Sequence, residues 1–114
     1  MCCSPRPIAS DPVDDTIPSV DVLTAADRPE GVILLDVREQ SEWSTGHAPG
    51  AIHQRLGTLE PTALPECDAV YVMCRSGNRS AIATRKLRDA GINAFNVTGG
   101  IFAWADARLP AEFS

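Results

Sequence analysis

The apolar residues of the chain are grouped in short runs that alternate with segments of helical periodicity. The runs at residues 32–35 and 69–73 contain no charged side chain. Uninterrupted apolar runs of this length are typical of parallel strands that are buried on both faces. Shorter segments at 51–53 and 94–97 predict two further strands of the same sheet.

The segments between these runs predict helices. The longest begins at residue 79 or 80, ends at residue 90, and carries Ala83 and Leu87 on its apolar face. Gly91 suits the left-handed position that ends a helix, an arrangement that brings Leu87 into contact with Ile92. Shorter helices are predicted at 20–27 with Ser19 as the N-cap, at 39–44, at 56–64 with a break at Pro61, and at 102–107.

Strands that alternate with helices predict an α/β fold, in which helices cover both faces of a parallel sheet. A chain of 114 residues fits one domain with one core. Residues 1–18 are rich in Pro, Asp and Ser, which predicts a loose N-terminal leader. The folded domain is therefore predicted to span residues 19–114.

The formal net charge of −5 argues against nucleic acid as a partner. Half of the ten basic residues nevertheless lie within residues 75–88, and this local positive field suits a small anionic substrate. No apolar run reaches the length of a membrane span, and no apolar signal segment follows the first residues. We therefore expect a cytoplasmic protein without a membrane partner.

Four cysteines are present, at positions 2, 3, 67 and 74, and their spacing matches no zinc site. Cys67 and Cys74 are separated by a predicted strand, which would place them roughly 20 Å apart. A disulfide requires Cα atoms within about 7 Å. We therefore expect no bridge between these two thiols, no metal site, and incidental roles for Cys67, Cys2 and Cys3, with a resolving thiol on the leader as the alternative.

Cys74 follows a buried strand and precedes a helix, which is the edge where open α/β sheets bind their ligands. The loop between contains Gly77, which allows backbone angles that other residues resist. Backbone N–H groups in such a loop, aided by the helix N-terminus, bind an anion. The anion here would be the Cys74 thiolate or its persulfide, and the same field would depress the pKa of the thiol.

The segment 74–80 (CRSGNRS) resembles the active-site loop of rhodanese-like domains. The stretch 35–39 (LDVRE), followed by Glu42 and Trp43 and by 46–51 (GHAPGA), resembles the first signature of that family. The triplet 98–100 (TGG) before Trp104 resembles its C-terminal end. Because the three motifs occur in order over residues 19–110, the resemblance covers almost the whole chain. Ala48 and Trp43 depart from the usual family residues, and both are expected to affect packing only.

The resemblance implies a rhodanese-like fold, with a five-stranded parallel sheet flanked by helices on both faces. It also implies a sulfurtransferase that takes a sulfane sulfur from an anionic donor such as thiosulfate. The sulfur would pass through a Cys74 persulfide to cyanide or a thiol, and a sulfur-accepting protein is a further expected partner. No cofactor and no metal are implied. The loop residues expected to hold the substrate are Arg75, Ser76, Gly77, Asn78 and Arg79, with Arg75 contacting the donor.

Three further residues are expected to support the loop rather than to react. Asp36 and Arg38 follow the first buried strand, and a structural ion pair is favoured over an active-site acid. Glu42 is expected to hold Arg79 or loop amides, and Asp36 is the alternative partner of Arg79. His47 lies in a turn, where a capping role is favoured over that of a general base for Cys74.

Two other functions remain open at this point. A cysteine phosphatase or arsenate reductase also places a thiolate in an anion-binding loop, but phosphatase loops have Arg six positions after Cys, whereas Arg79 comes five positions after Cys74. The shorter loop suits a single sulfur atom better than a phosphate. The second alternative is a non-catalytic rhodanese-like binding or sulfur-carrier module, which the presence of Cys74 and its loop makes less favoured.

Overall fold

The computed structural model describes residues 17–112. The predictions for Cys2, Cys3 and most of the leader therefore lie outside the described residues. The strands are β1 Ser19–Val20, β2 Val32–Asp36, β3 Ile52–His53, β4 Ala69–Met73 and β5 Ala94–Val97. The helices are α1 Val22–Ala26, α2 Gln40–Trp43, α3 Asn78–Asp89 and α4 Gly100–Asp106, with two 3₁₀ turns at Leu56–Thr58 and Pro61–Ala63.

The five strands form one parallel sheet in the order β1-β5-β4-β2-β3. β4 is the central strand, and β2 beside it ends at the same level, since Asp36 is opposite Met73. The predicted α/β architecture with a five-stranded parallel sheet is confirmed. Because parallel strands need crossover connections, the helices are placed on the two faces of the sheet.

Alternate residues of the central strands point to opposite faces, and each face has its own apolar core. Leu35, Val72 and Cys74 pack with Ala83 and Leu87 of α3 on one face. The other core joins the opposite side of the same strands to α1 and α4, through Val22, Ala25, Leu34, Met73, Val97 and Trp104. The period-2 alternation of strand side chains thus assigns Cys74 to the α3 face.

The predicted helix at 20–27 is wrong at its start. Ser19 and Val20 form β1 and pair with Asn96 and Val97 of β5, so Ser19 is not an N-cap. The N-cap of α1 is Asp21, whose carboxylate accepts a hydrogen bond from the Thr24 N–H at 2.8 Å. Pairing with the neighbouring strand therefore holds the first two residues extended.

Both helices that follow glycine begin earlier than predicted. α3 begins at Asn78 with Gly77 as its N-cap, and α4 begins at Gly100 with Gly99 as its N-cap. The end of α3 is as predicted, because Gly91 has φ +88° and the Ile92 N–H donates to the Leu87 carbonyl at 3.0 Å. The break at Pro61 is also confirmed, since a second 3₁₀ turn begins there.

Candidate active site

Cys74 lies at the carboxyl edge of the sheet, directly after β4 and beside the end of β2. Its side chain is buried, with 1% of the residue exposed. Cys67 is also buried, and its thiol is not joined to that of Cys74 by a disulfide, as expected. The Cys74 sulfur is therefore at the base of a loop rather than on the surface.

Gly77 shapes the loop that follows the thiol. Its φ of +118° lies in a region that L side chains rarely adopt, and it turns the Gly77 N–H towards Cys74 Sγ at 3.1 Å. The Gly77 carbonyl then accepts the N–H of Ala81 at 3.1 Å, the first intrahelical bond of α3. One residue thus donates to the sulfur and also starts the helix whose N-terminus faces the loop.

The first turn of α4 closes the other side of the loop. The Ile101 N–H donates to the Cys74 carbonyl at 2.8 Å, and the Phe102 N–H donates to the Arg75 carbonyl at 3.2 Å. Gly100 makes this approach possible, because a Cβ at this position would collide with the backbone of Cys74 and Arg75. The loop backbone is therefore held from both neighbouring helices.

Two opposing effects act on the pKa of Cys74. Burial raises the pKa because it disfavours the charged thiolate, whereas hydrogen bonds from the Ser80 hydroxyl and the N–H groups of Ser80, Gly77 and Ser76 lower it. The hydrogen bonds prevail, and the pKa is lower than the ordinary value of a thiol. The thiolate, which is the nucleophilic form of cysteine, is therefore formed more readily at Cys74 than in an ordinary cysteine.

The alkylation rate of Cys74 should consequently reach its half-maximal value at a pH below the free-thiol pKa of about 8.5. A group with a lowered pKa ionises at lower pH, so more thiolate is present at pH 7 than in a free cysteine. Iodoacetamide labelling as a function of pH measures this, with Cys74→Ser subtracting the other thiols. A midpoint at or above the free value would contradict the stabilisation of the anion by the loop.

Arg79 is joined to Glu42 by two parallel hydrogen bonds, of 2.6 and 2.8 Å. The contact with Arg79 lowers the pKa of Glu42 to about 2, so that this carboxylate stays charged. A planar guanidinium fits such a bidentate contact, which the single ammonium of lysine could not reproduce. The structure thus places Arg79 on Glu42, one of the two partners considered for it, and ties α3 to α2.

Asp36 and Arg38 form a buried pair, with 0% and 2% of each residue exposed. Arg38 donates to both carboxylate oxygens of Asp36 and to the carbonyls of Glu42 and Gly46. These bonds fasten the segment around α2 to the end of β2. The structural ion pair favoured on the sequence is therefore the arrangement observed.

Arg75 is exposed at the mouth of the loop, and its guanidinium lies 4.9 Å from the centroid of the Phe102 ring. Phe102 is itself 52% exposed, so the two side chains form a small platform beside the thiol. Ser76 and Asn78 are also exposed and complete the outer part of the loop. The five predicted loop residues thus lie around Cys74. Their role in substrate binding stays a prediction.

His47 and His53 both stack on Trp43, with ring centroids 3.6 and 4.6 Å from that of the indole. His47 Nδ1 lies 3.1 Å from the Trp43 carbonyl at the end of α2, which is the predicted capping contact. Its backbone pairs with Glu112. His47 therefore has a capping role at the C-terminal end of α2.

Four residues near Cys74 were missing from the predicted site: Ser80, Asn96, Gly100 and Phe102. Ser80 was assigned only as a helix start, although hydrogen bonds from this residue lower the pKa of Cys74. Asn96 is a polar residue within an otherwise apolar strand, and this contrast is the local signal by which the sequence could have indicated it as a site residue.

Among residues 17–112, no group of three or more His, Cys, Asp or Glu could hold a metal ion, and no helix is long and apolar enough to cross a membrane.

The family model for the rhodanese-like domain matches residues 19–107. The chain belongs to the rhodanese-like domain family. This confirms the resemblance carried by the three sequence motifs, and the matched region contains every residue of the site described above.

Curated relatives of this rhodanese-like chain include proteins named for sulfur chemistry. It is 39% identical over 83 residues to YtwF of Bacillus subtilis (strain 168), named a "Putative sulfurtransferase", with 71% of this chain and 81% of YtwF covered. It is 40% identical over 81 residues to YrkF of the same strain, named a "Putative sulfur carrier protein", with 68% of this chain and 44% of YrkF covered. The chain thus spans less than half of YrkF, although it spans most of YtwF.

Solved structures agree with the rhodanese-like fold. The crystal structure of a rhodanese-related protein from Thermoplasma volcanium superposes with a TM-score of 0.79 at 28% identity, covering 85% of this chain and 99% of that one. A rhodanese-like domain protein from Staphylococcus aureus has a TM-score of 0.75 at 27% identity, covering 86% and 99%. Each of these neighbours is matched over almost its whole length.

Proposed function

We propose that this rhodanese-like chain is a sulfurtransferase that carries sulfane sulfur as a persulfide on Cys74. The observation that carries the proposal is the buried Cys74 thiol, which accepts the Gly77 N–H at the start of α3 and has a lowered pKa. A thiolate held by loop N–H groups is a prepared nucleophile. The relatives named as a sulfurtransferase and a sulfur carrier support the same chemistry.

The proposed reaction has two displacements at sulfur. In the first, the Cys74 thiolate attacks the outer sulfur of thiosulfate, the S–S bond of the donor breaks, and sulfite leaves with the electron pair. In the second, cyanide or a thiolate attacks the outer sulfur of the persulfide, and the pair returns to Cys74 Sγ. The protein contributes the nucleophile, the N–H groups that stabilise negative charge, and the walls that exclude water. No step requires a metal or an organic cofactor.

Arg75 is the proposed contact for the anionic donor, because it is exposed beside the thiol and is held over Phe102 rather than by a carboxylate. Arg75→Ala should raise the thiosulfate KM by roughly two- to fivefold, as expected for an exposed charge contact, with a smaller effect on kcat. Lys86→Ala is the matched control, since it removes an exposed charge from the last turn of α3. Equal thiosulfate KM values in Arg75→Ala and Lys86→Ala would show that Arg75 does not contribute to donor binding.

The phosphatase alternative is disfavoured by the contacts of Arg79. In a phosphatase, the Arg79 guanidinium would bind the oxygens of the phosphate, yet both of its terminal nitrogens donate to Glu42.

The sulfur-carrier alternative differs from the proposed enzyme only in the second step, because a carrier would also form the Cys74 persulfide. Any compartment that keeps thiols reduced, such as the cytoplasm, would suit either function.

Mass spectrometry of the intact protein after incubation with thiosulfate tests the proposal. We expect the mass to increase by one sulfur atom, on the peptide that contains Cys74, and to return to its original value after cyanide is added. Absence of the added sulfur from a folded protein would contradict the proposal. An added sulfur that cyanide and small thiols fail to remove would favour the sulfur-carrier alternative.

A further inference from the structure

Phe102, in the first turn of α4, contacts Arg75 in two ways. Its backbone N–H donates to the Arg75 carbonyl at 3.2 Å, and its ring lies beneath the Arg75 guanidinium, whose carbon is 4.9 Å from the ring centroid. A cation at this distance from the face of an aromatic ring is attracted by the quadrupole of the ring. α4 therefore holds both the backbone and the side chain of the residue that follows Cys74.

The backbone contacts of α4 determine where the Phe102 ring lies. The Ile101 N–H donates to the Cys74 carbonyl at 2.8 Å, and a Cβ added to Gly100 would lie 2.7 Å from the Arg75 carbonyl oxygen. The first turn of α4 is thus fastened against the loop by its backbone. The ring that this turn carries is consequently held beside the thiol.

Arg75 differs from other arginines at this edge of the sheet in having no acidic partner. Arg38 is paired with Asp36, and Arg79 is paired with Glu42, so that each carboxylate compensates the charge of its guanidinium. Among residues 17–112, no carboxylate forms an ion pair with Arg75. The positive charge at the mouth of the loop is therefore uncompensated.

An aromatic ring holds a cation differently from a carboxylate. The ring has no net charge, so it attracts the guanidinium without cancelling its positive charge. The N–H groups at the edge of the guanidinium also stay available, and they suit the oxygens of an anion. Because Arg75 and Phe102 are both exposed, an anionic donor can reach these groups from solvent.

We propose that Phe102 is a positioning residue that holds the Arg75 guanidinium over the entrance to Cys74 and thereby makes the site selective for anionic sulfur donors. The inference rests on the proposed function, in which Arg75 contacts the donor. Phe102 acts through Arg75 and takes no part in the displacements at sulfur. Without the ring, the long Arg75 side chain would move among many rotamers, and its charge would spend less time at the entrance.

The charge at the entrance can be measured without a sulfur donor. Iodoacetamide and iodoacetate alkylate Cys74 by the same displacement, in which the thiolate sulfur bonds to carbon and iodide leaves, but only iodoacetate is an anion. The ratio of the iodoacetate rate constant to the iodoacetamide rate constant therefore reports the positive charge that a reagent meets on its way to the thiol. A change in the pKa of Cys74 or in the opening of the loop affects both rate constants and leaves their ratio unchanged.

Phe102→Leu removes the ring but keeps an apolar side chain, a good helix former and the backbone N–H. We expect the alkylation ratio to fall by about two- to threefold, as for the loss of an exposed cation–π contact, and the thiosulfate KM to rise by a similar factor. Phe102→Tyr keeps the ring and should keep the wild-type ratio. Ile82→Ala is the matched control, because it removes an exposed apolar side chain from α3 and should leave the ratio unchanged.

Two further variants show whether the ring acts through the charge of Arg75. In an Arg75→Ala background, Phe102→Leu should cause no further fall in the alkylation ratio, because the guanidinium is already absent. Phe102→Glu offers Arg75 a carboxylate in place of the ring, which would hold the guanidinium but cancel its charge. The ratio in Phe102→Glu should therefore fall below that in Phe102→Leu.

An unchanged ratio in folded Phe102→Leu protein, or an equal fall in the Arg75→Ala background, would overturn the proposal. Phe102→Met repeats the measurement if a thermal melt shows that the leucine variant is unfolded. The mass measurement tests the persulfide separately. Added sulfur on Cys74 with an unchanged ratio would overturn this inference alone, whereas a lowered ratio without added sulfur would support the positioning of Arg75 and contradict the proposed function.

Discussion

Sulfur transfer from thiosulfate to cyanide is expected to fall to the uncatalysed background in Cys74→Ser, while the fold is retained. A serine oxygen cannot form a persulfide, and at neutral pH it is not ionised. The substitution keeps the shape of the side chain, and the Gly77 N–H that donates to Sγ can donate to the hydroxyl instead. A thiosulfate:cyanide assay and a thermal melt on the same preparation measure the two effects.

Cys67→Ser is the matched control for this experiment. Cys67 is also a buried thiol outside any disulfide, and it belongs to the same apolar core as Cys74. Its replacement by serine should cost stability by burying a hydroxyl, yet it should leave the activity in place. If folded Cys74→Ser protein retained activity and Cys67→Ser lost it, the nucleophile would have been assigned to the wrong thiol.

Gly100→Ala is expected to lower both the free energy of unfolding and the activity. The residue has φ +55°, and an added Cβ would meet the Cys74 carbonyl oxygen and would lie 2.7 Å from the Arg75 carbonyl oxygen. These are backbone atoms, which cannot rotate away as a flexible side chain could. Strain at positive φ and overpacking together should cost roughly 2–4 kcal/mol, measured by denaturant unfolding.

Gly91→Ala separates the backbone strain from the steric clash. Gly91 also has a positive φ, of +88°, but an added Cβ would meet nothing within 4 Å. We expect a loss of about 1 kcal/mol with activity largely retained. Equal losses in the two variants would mean that α4 can move away from the Cys74 loop, and that its close approach contributes little.

Local sequence was sufficient to predict the segment that contains the site. The apolar run of β4, Gly77 and the helix ending at Gly91 are signals contained within about twenty consecutive residues. They predicted a cysteine at the end of a buried strand, before a helix. The predicted position of Cys74 agreed with the structure because strand burial and helix termination depend on nearby residues.

β1 shows where local sequence fails. Ser19 and Val20 form no apolar run, and their extended conformation results from pairing with Asn96 and Val97, more than seventy residues away. The same limit affected the early starts of α3 and α4. Each begins directly after a glycine in a left-handed conformation, which a sequence pattern indicates only as a turn.

The sequence by itself determined the order of the strands and helices after β1, the resemblance to the family, and Cys74 with its loop, because the signals for these lie in neighbouring residues. The tertiary structure decided which distant side chains meet that loop. Arg79 could have reached Asp36 or Glu42, and it binds Glu42 because Arg38 already occupies Asp36. Asn96 reaches Ser80 only through the register of β5 beside β4, and such a register is set by the packing of the whole sheet.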